Sequence, residues 1–595
     1  YKRVIALKPD QFAPYNNLGN VYRKLRRLRE SIQCYEKALS LSPQSAVVWI
    51  NLGIVLKDAG QYDQAETIFQ KVIKLDPNQS QAHSALAGLY RMKGNLQAAI
   101  VAYRKAVEVE PENPILLNNL GNALMDARLY NECLVCFNRA VRLKPDYALA
   151  YSNLGAAYTF MGRSEEGIPY FRKALELDPA NESAINNLLF ALNYVGKCSK
   201  EELYAEHCRF EELFGARYRA RWRPHSNERD PQRRLKVGYV SGDLRNHAVA
   251  RFVEPIFKNH NRTQFELYAY SNCLQEDETT EHLKGYFDHW RCVVPYTDDE
   301  LAELIRQDGI DILVDLSGHT ALNRLLVFAR KPAPVQFTMI GYMQTTGLKA
   351  IDYRITDTVL DDPATDPQRF SSEKLVYLKS GAAPFQPPPN APEVNDLPAL
   401  ANGHITYASF NNLAKATPKV YETWAAILHQ VPDARMLMVG NRETILKEFS
   451  AFGIDESRLE ILPRQPVAEY YRLHHRVDFI LDTFPYTGGT TNLIALWMGI
   501  PYVTLKGNSG VSRAGAGILR LLPFLKELVS DTTEEYISKA VSMARNLEQL
   551  AEWRKSMRPV LAGKFDWMAK RFTEELEEAY RKAWGEWCTT PQTGA

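Results

Sequence analysis

Tyr15-Asn-Asn-Leu18-Gly19-Asn-Val-Tyr22 opens a pattern that returns every 34 residues. Leu18, Leu52, Leu86, Leu120, Leu154 and Leu188 mark one register. Pro9, Pro43, Pro77, Pro111, Pro145 and Pro179 mark a second. A period of that length is the signature of stacked supersecondary units. A small residue follows most of the leucines, at Gly19, Gly53, Ala87, Gly121 and Gly155, and lets two helices approach closely. Each proline falls where a second helix must stop and the next repeat begin. Stacked units of this kind form a solenoid whose inner helices line a groove, a surface suited to holding another polypeptide.

The order Tyr15, Leu18-Gly19, Tyr22, Ala38, Pro43 resembles the tetratricopeptide repeat. The array is expected over 1–199. The residue before each register leucine is Asn17, Asn51, Ala85, Asn119, Asn153 and Asn187. Asparagine is a poor helix-interior residue, so its recurrence needs a reason. One reading is a structural hydrogen bond between adjacent repeats. The other is a ladder of amides that pairs with the backbone of an extended acceptor peptide. Ala85 interrupts that ladder and predicts two stretches of contact.

At 595 residues the chain is too long for one core. Apolar residues at 45% and charged residues at 24% give a globular composition. A net charge of +2 argues against a nucleic-acid binder. No run of eighteen apolar residues is present, so no membrane span is expected. The first ten residues read as the end of an amphipathic helix, so a cytoplasmic chain truncated at its N-terminus is expected. Eight cysteines are too few for a disulfide framework. Cys133 and Cys136 form a C-x-x-C in a repeat helix, with no second pair at metal spacing, and read as small core residues.

After about residue 200 the texture changes. A helical and basic connector is expected over 200–234. Short apolar strands then alternate with helices: 235–241, 265–271, 311–316, 335–340 and 352–356, within a first lobe at 235–379. A proline-dense linker follows at 380–403. A second α/β set is expected at 404–595, with strands at 404–410, 435–440, 478–482 and 502–505 and a terminal helix over 566–587. Two Rossmann-like domains imply a cleft between sheet ends. Neither has G-x-G-x-x-G after its first strand, which argues against a dinucleotide cofactor.

Asp482-Thr-Phe-Pro-Tyr-Thr-Gly-Gly-Thr-Thr491 places two glycines and two hydroxyls between a strand and a helix N-terminus. Backbone N–H groups and the helix dipole there favour an anion, and this reads as a diphosphate seat. Lys415, in Asn411-Asn412-Leu413-Ala414-Lys415, faces the same cleft and suits a leaving phosphate. His247 follows the first strand of the first lobe and offers a base or a donor. Gly318-His319-Thr320 ends the strand at 311–316, again on the cleft side.

These segments together resemble the protein O-linked N-acetylglucosamine transferases and their plant SPINDLY-type relatives. The likeness runs through Gly238-Tyr-Val-Ser241, Asn246-His247, Arg330–Gln336, Gly341-Tyr342, Asp352-Tyr353, Phe410–Lys415, the Gly-Gly-Thr-Thr seat and Ser512-Arg513. It implies a GT-B fold behind a tetratricopeptide solenoid. It also implies an inverting, metal-independent transfer from a nucleotide sugar to Ser or Thr hydroxyls of proteins held in the repeat groove and presented to the cleft. UDP-N-acetylglucosamine is the favoured donor, and GDP-fucose is the alternative. A peptide-binding scaffold whose enzyme has decayed is the reading of a different class. By the resemblance Lys415 stabilises the departing nucleotide, and His247 is the active-site histidine, as base or as positioning group. His319 joins them as a third catalytic candidate. Asn412, Lys415, Tyr470, Gly489, Thr490, Thr491, Gly341 and Thr320 are the donor-binding candidates. Asn17, Asn51, Asn119, Asn153 and Asn187 are the acceptor-binding candidates. Four positions depart from the family pattern. Ile494 stands where relatives carry an acid for the ribose, and Gly489 where animal enzymes carry histidine. Met343-Gln344 replaces the Pro-Gly of the sugar-pocket loop. The short linker resembles a bacterial version.

Overall fold

The computed structural model describes residues 1–590. The last five residues of the expected second lobe lie outside the described residues. The chain divides into two compact units. One is Tyr1–Ala157 with Glu176–Asp178; the other is Tyr158–Leu175 with Pro179 onward.

The first unit is built of helical hairpins. Phe12–Lys24 pairs with Leu28–Leu41, Ala46–Asp58 with Tyr62–Leu75, Ser80–Met92 with Leu96–Val109, and Pro114–Asp126 with Tyr130–Leu143. The small register residue works as the sequence implies. A Cβ on Gly19 would lie 2.7 Å from the Tyr35 ring, and one on Gly53 or Gly121 would lie 2.5 Å from Phe69 or Phe137. Three of these hairpins therefore close around one buried aromatic ring. The turn inside each hairpin has its own 34-residue register. Arg26, Gly60, Gly94 and Arg128, and Gly162 in the second unit, all adopt positive φ, between 60° and 78°. Glycine accepts that conformation freely, and the two arginines carry its strain. Cys133 and Cys136 are buried in this unit, and burial pushes their thiols up to about 12 and about 11. They are core residues, as their setting in a repeat helix predicts.

The second unit holds the helices Ser164–Leu177 (in part) and Glu182–Tyr194, then Lys200–Phe210, a single π-turn at Glu211–Gly215 and the short helix Ala216–Arg219. Ser199 and Glu202 form a capping box that starts Lys200–Phe210. Two parallel sheets follow. The first contains β1 (Leu235–Ser241), β2 (Phe265–Ser271), β3 (His289–Cys292), β4 (Ile312–Asp315), β5 (Val335–Thr338), β6 (Tyr353–Thr356) and β7 (Lys374–Tyr377), in the order β3-β2-β1-β4-β5-β6-β7. The second contains β8 (Thr406–Ser409), β9 (Arg435–Val439), β10 (Leu459–Leu462), β11 (Phe479–Leu481), β12 (Tyr502–Leu505) and β13 (Val529–Ser530), in the order β10-β9-β8-β11-β12-β13. Order reverses beside β1 in one sheet and beside β8 in the other, and such switch points open crevices at the strand C-termini.

Four strands lie outside the sequence expectation: β3, β7, β10 and β13. All four sit at or beside a sheet edge. They lack the continuous apolar run that a strand covered on both faces requires. The terminal helix is also longer than the expected 566–587. It runs Leu547–Thr589, 43 residues, through Pro559. Its first half, with Trp553, Met557, Leu561 and Phe565, belongs to the core of the second sheet. Its second half, with Phe572, Leu576, Tyr580 and Trp584, belongs to the core of the first.

Candidate active site

β11 ends at Leu481, and Asp482 gathers the loop that follows. One carboxylate oxygen accepts from the backbone N–H of Thr483 at 2.9 Å, from that of Gly488 at 2.7 Å and from Asn411 Nδ2 at 3.2 Å. The other accepts from Asn492 Nδ2 at 2.9 Å and Thr504 Oγ1 at 2.8 Å. Burial pushes Asp482 up to about 6, against those hydrogen bonds and the nearby Lys415 charge. Asn411 in turn accepts from Thr491 Oγ1 at 2.8 Å. One asparagine thus ties the loop after β8 to the helix Thr490–Trp497. That helix starts at Gly489, where an added Cβ would meet nothing within 4 Å. Its first N–H groups have no partner within the helix. Thr490 and Thr491 sit on its first turn, where the dipole favours an anion.

Lys415 closes a 3-10 turn, Leu413–Lys415, capped by Asn412, whose Oδ1 accepts from the Ala414 N–H at 3.2 Å. The ammonium donates to the Thr487 carbonyl at 2.9 Å and lies 4.2 Å from the Tyr486 ring centroid. Burial lowers Lys415 to about 8, and Asp482 opposes that shift. The lysine therefore reaches the same loop as the seat. Tyr470 is half-buried and packs edge-on against Phe410 (5.6 Å) and His474 (5.1 Å) at the end of β8.

In the first sheet's lobe, His247 is the N-cap of the helix Ala248–Asn259. Its Nδ1 accepts from the Val249 N–H at 3.4 Å, and Asp243 Oδ1 stands 3.6 Å away. Burial lowers its pKa, against the pull of Asp243. With Nδ1 turned to the helix, the neutral ring carries its proton on Nε2 and presents a donor.

His319 is placed otherwise than expected. It is buried, its Nδ1 faces Asn186 Oδ1 at 2.7 Å, and its Nε2 faces the Thr346 carbonyl at 2.9 Å. Burial and the neighbouring His207 hold it well below its ordinary pKa. Both partner atoms are oxygens that accept, so a neutral ring donates its single proton to one of them. Both nitrogens are engaged with protein groups in this structure. Thr320 also turns inward, its hydroxyl donating to the Ser317 carbonyl at 2.9 Å. Gly341 marks a close backbone crossing, since a Cβ there would lie 2.1 Å from the Leu316 carbonyl oxygen. Its part is to let the loop that carries Tyr342 and Met343 fold over β4.

Met343 and Gly489 line one cavity of about 450 Å³, with Phe252, Phe385, Leu493 and Phe565. Ile494 does not face it: the side chain is buried in the core of the second sheet. Of the acceptor candidates, Asn51 donates to Asn16 Oδ1 at 2.9 Å and Asn153 donates to Asn118 Oδ1 at 2.8 Å. Those two amides hold adjacent repeats together. Asn17 is exposed, and Asn119 and Asn187 are half-buried. Asp482, Asn411 and Tyr486 organise the seat and lie beyond the sequence-derived set. Their signal was position: each lies on a strand-end loop beside a switch-point strand.

Two doubly wound parallel sheets, following helical repeats in the sequence, define a GT-B-like unit. Residues 211–382 and 395–575 match the model of glycosyl transferase family 41, and tetratricopeptide models match 10–78, 88–127, 130–162 and 148–181. The chain belongs to glycosyl transferase family 41. Among curated relatives, the probable UDP-N-acetylglucosamine–peptide N-acetylglucosaminyltransferase SPINDLY of Hordeum vulgare is 37% identical over 66% of the chain, and its Arabidopsis thaliana counterpart is 36% identical over 61%. The chain spans 42% and 41% of the length of those two. A lysine-to-methionine mutant of the Thermobaculum terrenum O-GlcNAc transferase has a similar structure, with a TM-score of 0.79 and 36% identity. That match covers 86% of this chain and 98% of the other. Among the described residues, no helix is long and apolar enough to cross a membrane.

Proposed function

We propose that this chain transfers N-acetylglucosamine from UDP-N-acetylglucosamine to serine or threonine hydroxyls of proteins. The observation that carries this reading is the convergence of Lys415 and the Thr490–Trp497 helix N-terminus on one loop. A diphosphate placed there meets a cation, the Thr490 hydroxyl and the backbone N–H groups of the helix's first turn. As the glycosidic bond breaks, negative charge grows on the leaving phosphate, and Lys415 stabilises it. This chemistry requires no resident metal, because the lysine and the helix dipole supply the positive potential. Through its Nε2–H, His247 orients donor or acceptor. Inversion follows if the acceptor hydroxyl attacks in line with the departing diphosphate.

The names of the relatives support the sugar and the acceptor class. The tetratricopeptide hairpins supply a surface for a polypeptide partner. The eight free cysteines fit the reducing cytoplasm. Thermal-shift titration with UDP and GDP tests the donor, since a ligand of the native state raises its melting temperature. Stabilisation by UDP supports the proposal, and stabilisation by GDP alone replaces it with fucosyl transfer. Incubation with labelled UDP-N-acetylglucosamine and a cell lysate tests the reaction. Binding of UDP without label transfer would leave a scaffold with a decayed enzyme.

A further inference from the structure

Lys415 is held from behind by helices of the repeat type. The turn at Gly162, between the helices Ala148–Phe160 and Ser164–Leu177, presses on the loop that carries the lysine. A Cβ at Gly162 would lie 2.5 Å from the Ala416 carbonyl oxygen and 2.9 Å from that of Leu413. Those two carbonyls bracket Lys415. The second contact comes from the helix Glu182–Tyr194. Its last residue, Tyr194, packs its ring 5.2 Å from that of Tyr486, at a 44° tilt. Tyr486 is the ring on which the Lys415 ammonium rests.

The same helix also reaches the other lobe. Asn193 donates to Tyr342 Oη at 3.0 Å and accepts from Gln344 Nε2 at 3.3 Å. Two turns earlier, Asn186 meets His319. Residues seven apart lie on one helix face, so Asn186 and Asn193 form one stripe and Asn187 and Tyr194 the next. The first stripe grips the first sheet's lobe. The second joins an acceptor candidate to the support of the lysine. Tyr194 is buried, and burial pushes its phenol up in pKa, so it acts as a neutral ring.

We propose that Tyr194 and Gly162 are positioning residues that hold the Tyr486 ring and the 413–416 loop so that Lys415 meets the donor diphosphate. The inference rests on the proposed role of Lys415. The groups that face the ammonium are the Tyr486 ring, the Thr487 carbonyl and Asp482; Tyr194 stands behind Tyr486. Removing the Tyr194 ring admits water to this cluster and relieves the burial that depresses Lys415.

The test is UDP affinity of the full chain by calorimetry between pH 6.5 and 9.5, with kcat for transfer alongside. Tyr194→Ala is expected to bind UDP about tenfold more weakly at pH 7, the scale of losing the Lys415–Tyr486 cation–π contact once the ring that supports it is gone. The pH at which affinity begins to fall should also move up. Tyr194→Phe keeps the ring and should keep both wild-type values. Gly162→Ala disturbs the same loop from its other side and gives an independent readout if Tyr194→Ala does not fold. It should lower kcat and UDP affinity, with the pH midpoint displaced. A purely structural role would lower melting temperature alone, and wild-type midpoints in both alanine variants would overturn the inference. Lys415→Met separates the two layers: if it binds UDP with wild-type strength and pH dependence, the role of Lys415 itself fails.

Discussion

The Lys415 ammonium lies 4.2 Å from the centroid of the Tyr486 ring, in a pocket that lowers its pKa to about 8. A diphosphate bound beside it favours the charged form and raises that pKa. UDP binding at pH 8.5 should therefore take up a proton, and affinity should be highest below about 8 and decline as pH rises through it. Calorimetry in two buffers of different ionisation enthalpy measures the uptake. Lys415→Met should show none in this window.

His247 turns Nδ1 to the Val249 N–H, which leaves Nε2–H as the outward group. A donor can be replaced by another donor. His247→Ala is expected to lower kcat/KM by about a hundredfold, within the range for loss of one positioned proton-handling group. His247→Gln should recover at least about a tenth of the wild-type value, because an amide N–H can stand in for Nε2–H. Equal loss in the two variants would restore the histidine to the role of base.

The asparagine register divides by environment. Asn51 bonds to Asn16 across a repeat boundary, whereas Asn17 is exposed. Asn51→Ala should lower the stability of the repeat array by about 1 kcal/mol, the net worth of a typical hydrogen bond. Asn17→Ala should leave stability within about 0.5 kcal/mol, as surface changes usually do. Denaturant melts check both. An acceptor role for Asn17 would appear as a higher KM for polypeptide acceptors at unchanged kcat.

Arg26 occupies a left-handed turn position that its counterparts at 60, 94 and 162 fill with glycine. The left-handed conformation costs a side chain about 1–2 kcal/mol. Glycine returns part of that gain as unfolded-state entropy, about 0.5–1 kcal/mol. Arg26→Gly should therefore raise stability by up to about 1 kcal/mol. A lower melting temperature would show that the arginine contributes more than its backbone costs.

The repeats and the central strands were legible because each imposes a period or a buried apolar run on the sequence. Leu18 through Leu188 set the hairpins, and β1, β2 and β12 fall where their apolar runs do. The edge strand His289–Cys292 carries no such run, and the two-residue β13 is too short to announce itself. The structure brings Lys415 and the Thr490–Thr491 turn, singled out from glycine, hydroxyl and cation spacing, to one loop. His319 could not be placed, because a histidine at a strand end reads the same whether its ring faces a cleft or a core. Its partner Asn186 lies 133 residues away. Long-range pairing of that kind leaves no local trace. The same holds for Tyr194 and Tyr486, which meet only in three dimensions.

The 43-residue helix Leu547–Thr589 places one continuous rod in two separate cores. This sets an order of assembly during synthesis. The first sheet's last strand ends at Tyr377, yet its core waits for Phe572, Leu576, Tyr580 and Trp584. At ribosomal rates that interval is roughly ten seconds or more. Until then that core has only its earlier helix, Ala248–Asn259, and lacks the terminal helix's share while the second sheet is still being made. The nascent chain therefore exposes a large apolar face for longest in its earlier lobe, and that face is where a chaperone would be expected to bind.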